Sequence, residues 1–218
     1  MSFTYVTLLL LDGFKLTFLL FILTLAFSLP LGLIVAFGSM SKFKPLKVAV
    51  RVFVWIIRGT PLMLQLFVVF YVPNMLFGTR VFNGDDGRFL AALIAFVINY
   101  AAYFAEIYRG GILSVEVGQW EAAKALGLGR ATTFLRVILP QMVKRVIPAI
   151  GNEVITLVKD TSLAFTIAVT EMFTLAKQLS SANTTMMPLI AAGVFYYIFN
   201  YAVAWLMERI ERRFAYYR

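Results

Sequence analysis

Glu121-Ala122-Ala123-Lys124-Ala125-Leu126-Gly127, running on to Val137-Ile138-Leu139-Pro140, decides how this chain is read. Helix formers extend from Gln119 to Leu126. Gly127 and Gly129 then permit a left-handed terminus and a sharp turn. A second short helix is expected over Ala131–Val137, ending before Pro140, which has no backbone donor with which to continue it. Taken alone, such a stretch is an ordinary helical hairpin in a loop. Here it is a small, Ala-rich, polar piece set between two long apolar segments.

Outward from it, the chain is too apolar for a water-soluble domain: 61% of its 218 residues are hydrophobic and 14% charged. The class is integral membrane. The net charge is +9, but Lys and Arg lie between apolar runs rather than in one patch, so they argue for positive-inside topology and against nucleic acid as a partner. No Cys or His occurs, which excludes disulfides, Cys/His metal sites and Cys or His catalysis. No catalytic nucleophile–base pair and no Walker A element is present, so any ATP use belongs to another polypeptide. The N-terminus lacks a basic n-region, and its first apolar run is too long for a signal peptide, so that run is read as a retained span.

Five spans are expected, at about 14–37, 50–72, 89–108, 146–170 and 189–207, after a weakly amphipathic lead over 1–13. Lys42, Lys44, Lys47 and Arg51, the basic residues around Glu121, and Arg209, Arg212 and Arg213 mark three cytoplasmic segments. The N-terminus is then outside and the C-terminus inside. Asn74, Asn83-Gly84 and Asp85-Asp86-Gly87 read as an external turn region over 72–88. Residues 171–188 read as the second external connection. The second span is interrupted by Arg58-Gly59-Thr60-Pro61, where Thr60 as N-cap and Pro61 at the first helical position suffice structurally. Gln65 just beyond is either an interhelical hydrogen-bonding group or a cavity group.

Asn99, Tyr103 and Glu106 are spaced i, i+4, i+7 and share a helix face. They form either a packed polar seam, with Glu106 facing Arg109, or part of a cavity lining. The fourth span is the most unusual, because Glu153, Lys159 and Asp160 lie within eight residues. A charge at mid-bilayer costs about 2.5–3.5 kcal/mol even on the gentlest scale. Such groups pair with one another or line a wet cavity. Glu153, Thr156 and Asp160 share one face, whereas Lys159 points a quarter-turn away, toward a carboxylate on another helix. Lys159-Asp160-Thr161-Ser162 also reads as a helix interruption, with Thr161 or Ser162 satisfying backbone groups.

Glu-Ala-Ala, three residues, Gly, nine residues, an aliphatic, one residue and Leu-Pro resembles the EAA loop of ABC-importer permeases, with Val137 where Ile is usual and Val117 where Pro is usual. Arg58-Gly59-Thr60-Pro61, the run Asn99-Tyr100-Ala101-Ala102-Tyr103, and Asn152-Glu153 with Lys159-Asp160-Thr161-Ser162-Leu163 resemble the polar amino-acid (histidine/glutamine-type) branch, over about residues 14–214. That resemblance implies an all-α, five-helix permease of a type I ABC importer, one transmembrane domain in a bacterial cytoplasmic membrane. Its cytoplasmic coupling loop would be 112–140, with Glu121, Ala122, Ala123, Lys124, Gly127, Leu139 and Pro140 engaging the ATPase. Small side chains suit that docking because they let backbones approach closely. The implied partners are an ATPase dimer that binds ATP and Mg, a second permease subunit, an external solute-binding protein and a polar amino acid. No cofactor or metal is expected in this chain. A solute ammonium and carboxylate both need partners in a dry cavity. Glu153 and Asp160 suit cationic groups, while Ser162, Asn99 and backbone amides near Lys159 and Thr161 supply hydrogen bonds, with Tyr103 and Gln65 nearby. The alternatives are an ABC permease for another solute, such as a metal chelate, or a secondary transporter whose carboxylates relay ions. Against the latter stand the absence of an evident internal repeat and the presence of a coupling element.

Overall fold

In the computed structural model, which describes residues 3–78 and 81–214, the described residues fold into helices with no strand. The element order is α1 (Phe3–Ser39), α2 (Lys44–Gly59), α3 (Leu62–Phe77), α4 (Gly84–Leu113), α5 (Val117–Ala125), α6 (Arg130–Thr133), α7 (Leu139–Asp160), α8 (Met172–Asn183) and α9 (Met187–Phe214). A π-helical turn, Phe134–Ile138, joins α6 to α7, and a 3-10 segment, Thr161–Ile167, follows α7.

Three of these helices, α1, α4 and α9, are long and apolar enough to cross a membrane, and the α2–α3 pair adds a fourth if counted as one crossing. α1 and α4 form the central pair. α4 turns Ala91, Ala92, Ala95, Ala101, Ala102 and Ala105 inward. On α1, a Cβ at Gly32 would lie 2.8 Å from Cβ of Phe104 and 3.0 Å from the Ala101 carbonyl, so only glycine permits this approach. Between the helices, Phe96, Tyr100 and Phe104 stack down α4 and pack with Leu20, Leu66 and Leu157. Phe14, Phe18 and Phe21 close on Phe199 of α9.

Several elements depart from the sequence expectation. The lead over 1–13 is helical from Phe3, an extension of α1 rather than a separate segment. The second span is not one rod, since α2 and α3 meet at 109°. Pro61 is itself the N-cap of α3, and Thr60 closes α2, its hydroxyl donating to the Ile56 carbonyl at 2.9 Å. Asp85, Asp86 and Gly87 lie in the first turn of α4 rather than in an external turn, where the two acids complement the helix dipole. Pro140 does not end the helical run. The wider π turn before it absorbs the missing donor and the ring's demand for space, and the helix continues to Asp160.

α7, about 33 Å long at 1.5 Å per residue, carries too much charge to count as a crossing by composition, and instead packs against α4 and α9. The expected connection over 171–188 contains α8. Its N-cap, Glu171, is fully buried, and it accepts from the Phe173 and Thr174 amides at 2.8 and 2.7 Å, the Thr174 hydroxyl, Thr17 of α1 and Tyr196 of α9. One carboxylate thus joins α1, α8 and α9. Burial pushes this carboxyl up from its ordinary value, opposed by the amides and hydroxyls that donate to it.

Candidate functional site

The break between α2 and α3 opens a cavity of about 290 Å³ where α4 and α7 pass. Thr60, Pro61 and Leu62 contribute from the break, Asn99, Tyr100 and Tyr103 from α4, and Glu153, Thr156 and Asp160 from α7. The break is held open by one side chain. Gln65, buried at the start of α3, donates from Nε2 to the Ile57 carbonyl at 2.7 Å and to Oγ1 of Thr60 at 2.9 Å. Nε2 also lies 3.1 Å from the Thr60 carbonyl, so this one amide serves both carbonyls that end α2. Its Oε1 accepts from Asn99 Nδ2 at 3.0 Å, which fixes Asn99 on α4. Gln65 therefore positions the cavity wall without lining the cavity.

Asp160 is the last α-helical residue of α7, where the dipole disfavours a negative charge. Tyr100, buried at 2% exposure, donates its hydroxyl to Oδ2 of Asp160 at 2.8 Å. Glu153, two turns earlier on the same face, is half-buried and makes no hydrogen bond or ion pair among the described residues. The cavity thus holds two carboxylates, no lining cation and several neutral hydrogen-bonding groups. That donor set suits an ammonium or guanidinium group.

Of the residues singled out by sequence, Glu153, Asp160, Asn99 and Tyr103 come together here, with Gln65 one bond away. Lys159, Thr161 and Ser162 do not line the cavity. Thr161 is fully buried and donates to the Val158 carbonyl, and Ser162 donates to that of Lys159. Both hydroxyls serve the switch from α to 3-10 geometry. Lys159 is exposed and forms no ion pair among the described residues, so the expected partner on another helix is absent there. Glu106 does face Arg109, at 2.6 Å. Tyr100 was missed because it lies off the Asn99–Tyr103–Glu106 face. The available signal was a tyrosine in an apolar run near intramembrane carboxylates, since a buried phenol needs a partner.

At the end of α4, α5 projects with Glu121, Ala122 and Lys124 exposed, and Ala123 is turned inward. It closes in a Schellman motif, in which Leu128 N–H bonds to the Ala123 carbonyl and Gly127 N–H to that of Lys124, each at 3.0 Å. Gly127 has φ of 72°, and a Cβ there would meet nothing within 4 Å. Leu139 lies apart from this exposed surface, packed on Ile112, Met142 and Val146. Among the described residues no group of acidic side chains is placed to hold a metal ion.

A helical membrane bundle with a projecting Ala-rich helix and a polar cavity at a helix break defines a solute permease. The chain belongs to the family of binding-protein-dependent transport system inner membrane components, whose model matches residues 28–216. It is 41% identical over 203 residues to the L-cystine transport system permease protein TcyB of Bacillus subtilis, covering 92% of this chain and 84% of that one. It is 35% identical over 206 residues to the glutamine transport system permease protein GlnP of Escherichia coli, covering 94% and 92%. A crystal structure of an amino acid ABC transporter with histidines superimposes with a TM-score of 0.88 at 33% identity, covering 97% of each chain. The fold is that of a type I ABC-importer permease. The chain is a multi-pass membrane subunit that works with a solute-binding protein and with a separate ATPase that hydrolyses ATP.

Proposed function

We propose that this chain forms the translocation path of an ATP-driven importer for polar amino acids in a bacterial cytoplasmic membrane, with its N-terminus outside and its C-terminus inside. The observation that carries this reading is the paired-carboxylate cavity at the α2–α3 break, built by Asn99, Tyr100, Tyr103, Glu153 and Asp160. The names and folds of the similar proteins support the cargo class.

In this reading the whole chain is one transmembrane domain, paired with an identical or closely related second permease subunit and two ATPase subunits. Residues 112–140 form the coupling loop, and exposed α5 docks into the ATPase. ATP, with its Mg, is bound by the ATPase and closes the ATPase dimer. The coupling helices then move together, and the cavity opens outward to accept solute from the external binding protein. Inside it, Asp160 and Glu153 hold the solute's cationic groups, and Asn99 donates a hydrogen bond to its polar atoms. Tyr100 keeps Asp160 oriented, which leaves its second oxygen for the ligand.

The test is uptake of arginine, histidine, glutamine and cystine by Asp160→Asn and Glu153→Gln at equal membrane expression. Both variants should assemble and transport less. The Glu153→Gln loss should be larger for arginine and cystine, which carry a second cationic group, than for glutamine, which carries one. Transport of every solute at the parental rate by both variants would make these carboxylates structural and move the site elsewhere.

A further inference from the structure

The α2–α3 bend borders a second cavity, of about 410 Å³, between α2 and the last turns of α4. Its charged lining is Arg51, Arg58, Arg109 and Glu106, and its apolar lining includes Val54 and Trp55. Arg109 and Glu106 neutralise one another through a bidentate contact, with Nη2 to Oε2 at 2.6 Å and Nε to Oε1 at 3.1 Å. Arg51 and Arg58 form no ion pair among the described residues, although both act electrostatically on Glu106. The cavity is therefore positive, the reverse of the acidic one.

The two cavities adjoin. Arg58 lies over the ring of Tyr103, 5.1 Å from its centroid, and Tyr103 lines the acidic cavity. Arg58 also lies within electrostatic reach of Glu153. Lys44, Lys47, Arg51 and Arg58 are spaced i, i+3, i+7, i+14 and so share one face of α2, which carries no acid. This stripe begins near Met40, which packs against the cluster of Ile112, Met142 and Val146 where α4 leads to α5, and it ends at the acidic cavity. Arg51 and Arg58 are exposed. Guanidinium groups facing lipid tails are costly, so this face is turned to water or to an anion.

We propose that the basic cavity is a second solute station, which receives the carboxylate of the amino acid as its ammonium leaves Asp160 and Glu153. The inference rests on the proposed function, both for the solute class and for placing the α5 end in the cytoplasm. A zwitterion in the acidic cavity has partners for its ammonium but no cation within that lining for its carboxylate. Arg58 stands at the shared wall, and Arg51 lies one turn-pair further along the same face. Two guanidiniums offer the planar donor pairs that carboxylates accept bidentately. Trp55 and Val54 give the solute side chain an apolar wall. Two adjoining sites of opposite charge let each charged end of the solute exchange one partner for another instead of leaving for bare hydrocarbon. It follows that solute already on the α5 side occupies the basic cavity and slows turnover.

The experiment uses the complete importer in proteoliposomes, with the ATPases facing the medium and solute-loaded binding protein trapped inside. L-arginine, L-glutamine and L-cystine, and the decarboxylated amine of each, are added to the medium while ATP hydrolysis is followed. The transported amino acid should slow hydrolysis, and its amine should not. Arg51→Gln and Arg58→Gln should each raise the half-inhibiting concentration by about tenfold, as for loss of one charge-assisted hydrogen bond, with Arg51→Lys intermediate. No inhibition in the parent, equal inhibition by the amine, or unchanged inhibition in both Gln variants would overturn the proposal. Inhibition that tracks the anionic lipid content of the vesicles would assign the cavity to a phospholipid headgroup, and would overturn it too. The two readings fail separately: Asp160→Asn tests the acidic cavity through uptake, while Arg51→Gln tests the basic one through product inhibition.

Discussion

Replacing Gly127 isolates backbone geometry from side-chain crowding at the end of α5. Its φ of 72° lies in the left-handed region, and a Cβ there meets no atom within 4 Å. Any intrinsic cost in this chain therefore comes from the backbone. A non-glycine residue in that region costs about 1–2 kcal/mol, less for Asn and Asp and more for a β-branched residue. If the motif opens instead, the loss is the two hydrogen bonds from Gly127 and Leu128, each at 3.0 Å and each worth about 0.5–1.5 kcal/mol net. Either route gives about 2 kcal/mol, or roughly a thirtyfold change in how often the end of α5 is ordered. α5 has nine residues and is too short to hold itself together without that terminus.

The series is Gly127→Asn, →Ala, →Val and →Asp. The assays are ATP-driven uptake, ATPase rate in the reconstituted importer and amide exchange at Gly127 and Leu128. Asn should transport close to the parent, and Ala less. Val should be the worst of the uncharged variants and show the fastest exchange. Asp has the shape of Asn, yet its negative charge sits at a helix C-terminus and on the face proposed above to meet the ATPase, so it should insert normally and lose uptake. A Val variant that exchanges and transports like the parent would refute the geometric argument, as would an Asn variant as defective as Val.

Three further outcomes are expected. Tyr100→Phe keeps the ring packed against Phe96 and Phe104 but removes the 2.8 Å bond to Asp160. A hydrogen bond to a charged group is worth about 1.5–3 kcal/mol of stability, so the melting temperature should fall; Asp160, no longer held, should also bind solute about tenfold more weakly, and an unchanged affinity would dismiss the pairing. Glu171→Ala removes the cap of α8, leaving the Phe173 and Thr174 amides without their acceptor, and cuts the link to Tyr196, while Thr17 keeps the Gly13 carbonyl and the Met172 amide, for a loss of about 2–4 kcal/mol seen by thermal unfolding in detergent; a loss below about 1 kcal/mol would show that the three helices do not depend on it. Because burial lifts Glu171 above the 4.5 of a free glutamate, the folded state holds its proton more tightly than the unfolded one. Its contribution is then full below that value and is lost as pH rises through the folded pKa, so Glu171→Gln should have a flatter melting-temperature profile than the parent above pH 4.5, and equal slopes would refute it. Single cysteines at Ser181 and Lys124, both exposed in this Cys-free chain, should react with an impermeant thiol reagent from outside and inside respectively, and the opposite pattern would reverse the topology.

Composition made the membrane class legible, and the spacing of the Glu121–Pro140 element together with the Arg58–Pro61 break made the family legible. Helical periodicity also placed Glu153, Thr156 and Asp160 on one face, because 3.6 residues per turn is a local property of the backbone. Periodicity says which residues share a face and not which helix that face meets. Tertiary packing alone brought Tyr100 to Asp160, Gln65 to Asn99, and Glu171 between Thr17 and Tyr196. It also turned the break at Thr60–Pro61 into a 109° bend, since the sequence states that a helix stops but not where its successor finds apolar contact. Pro140 shows the same division. Its missing donor is written in the chain, but whether the helix ends or widens by one π turn depends on the burial of Met142 and Val146 against Ile112 at the end of α4.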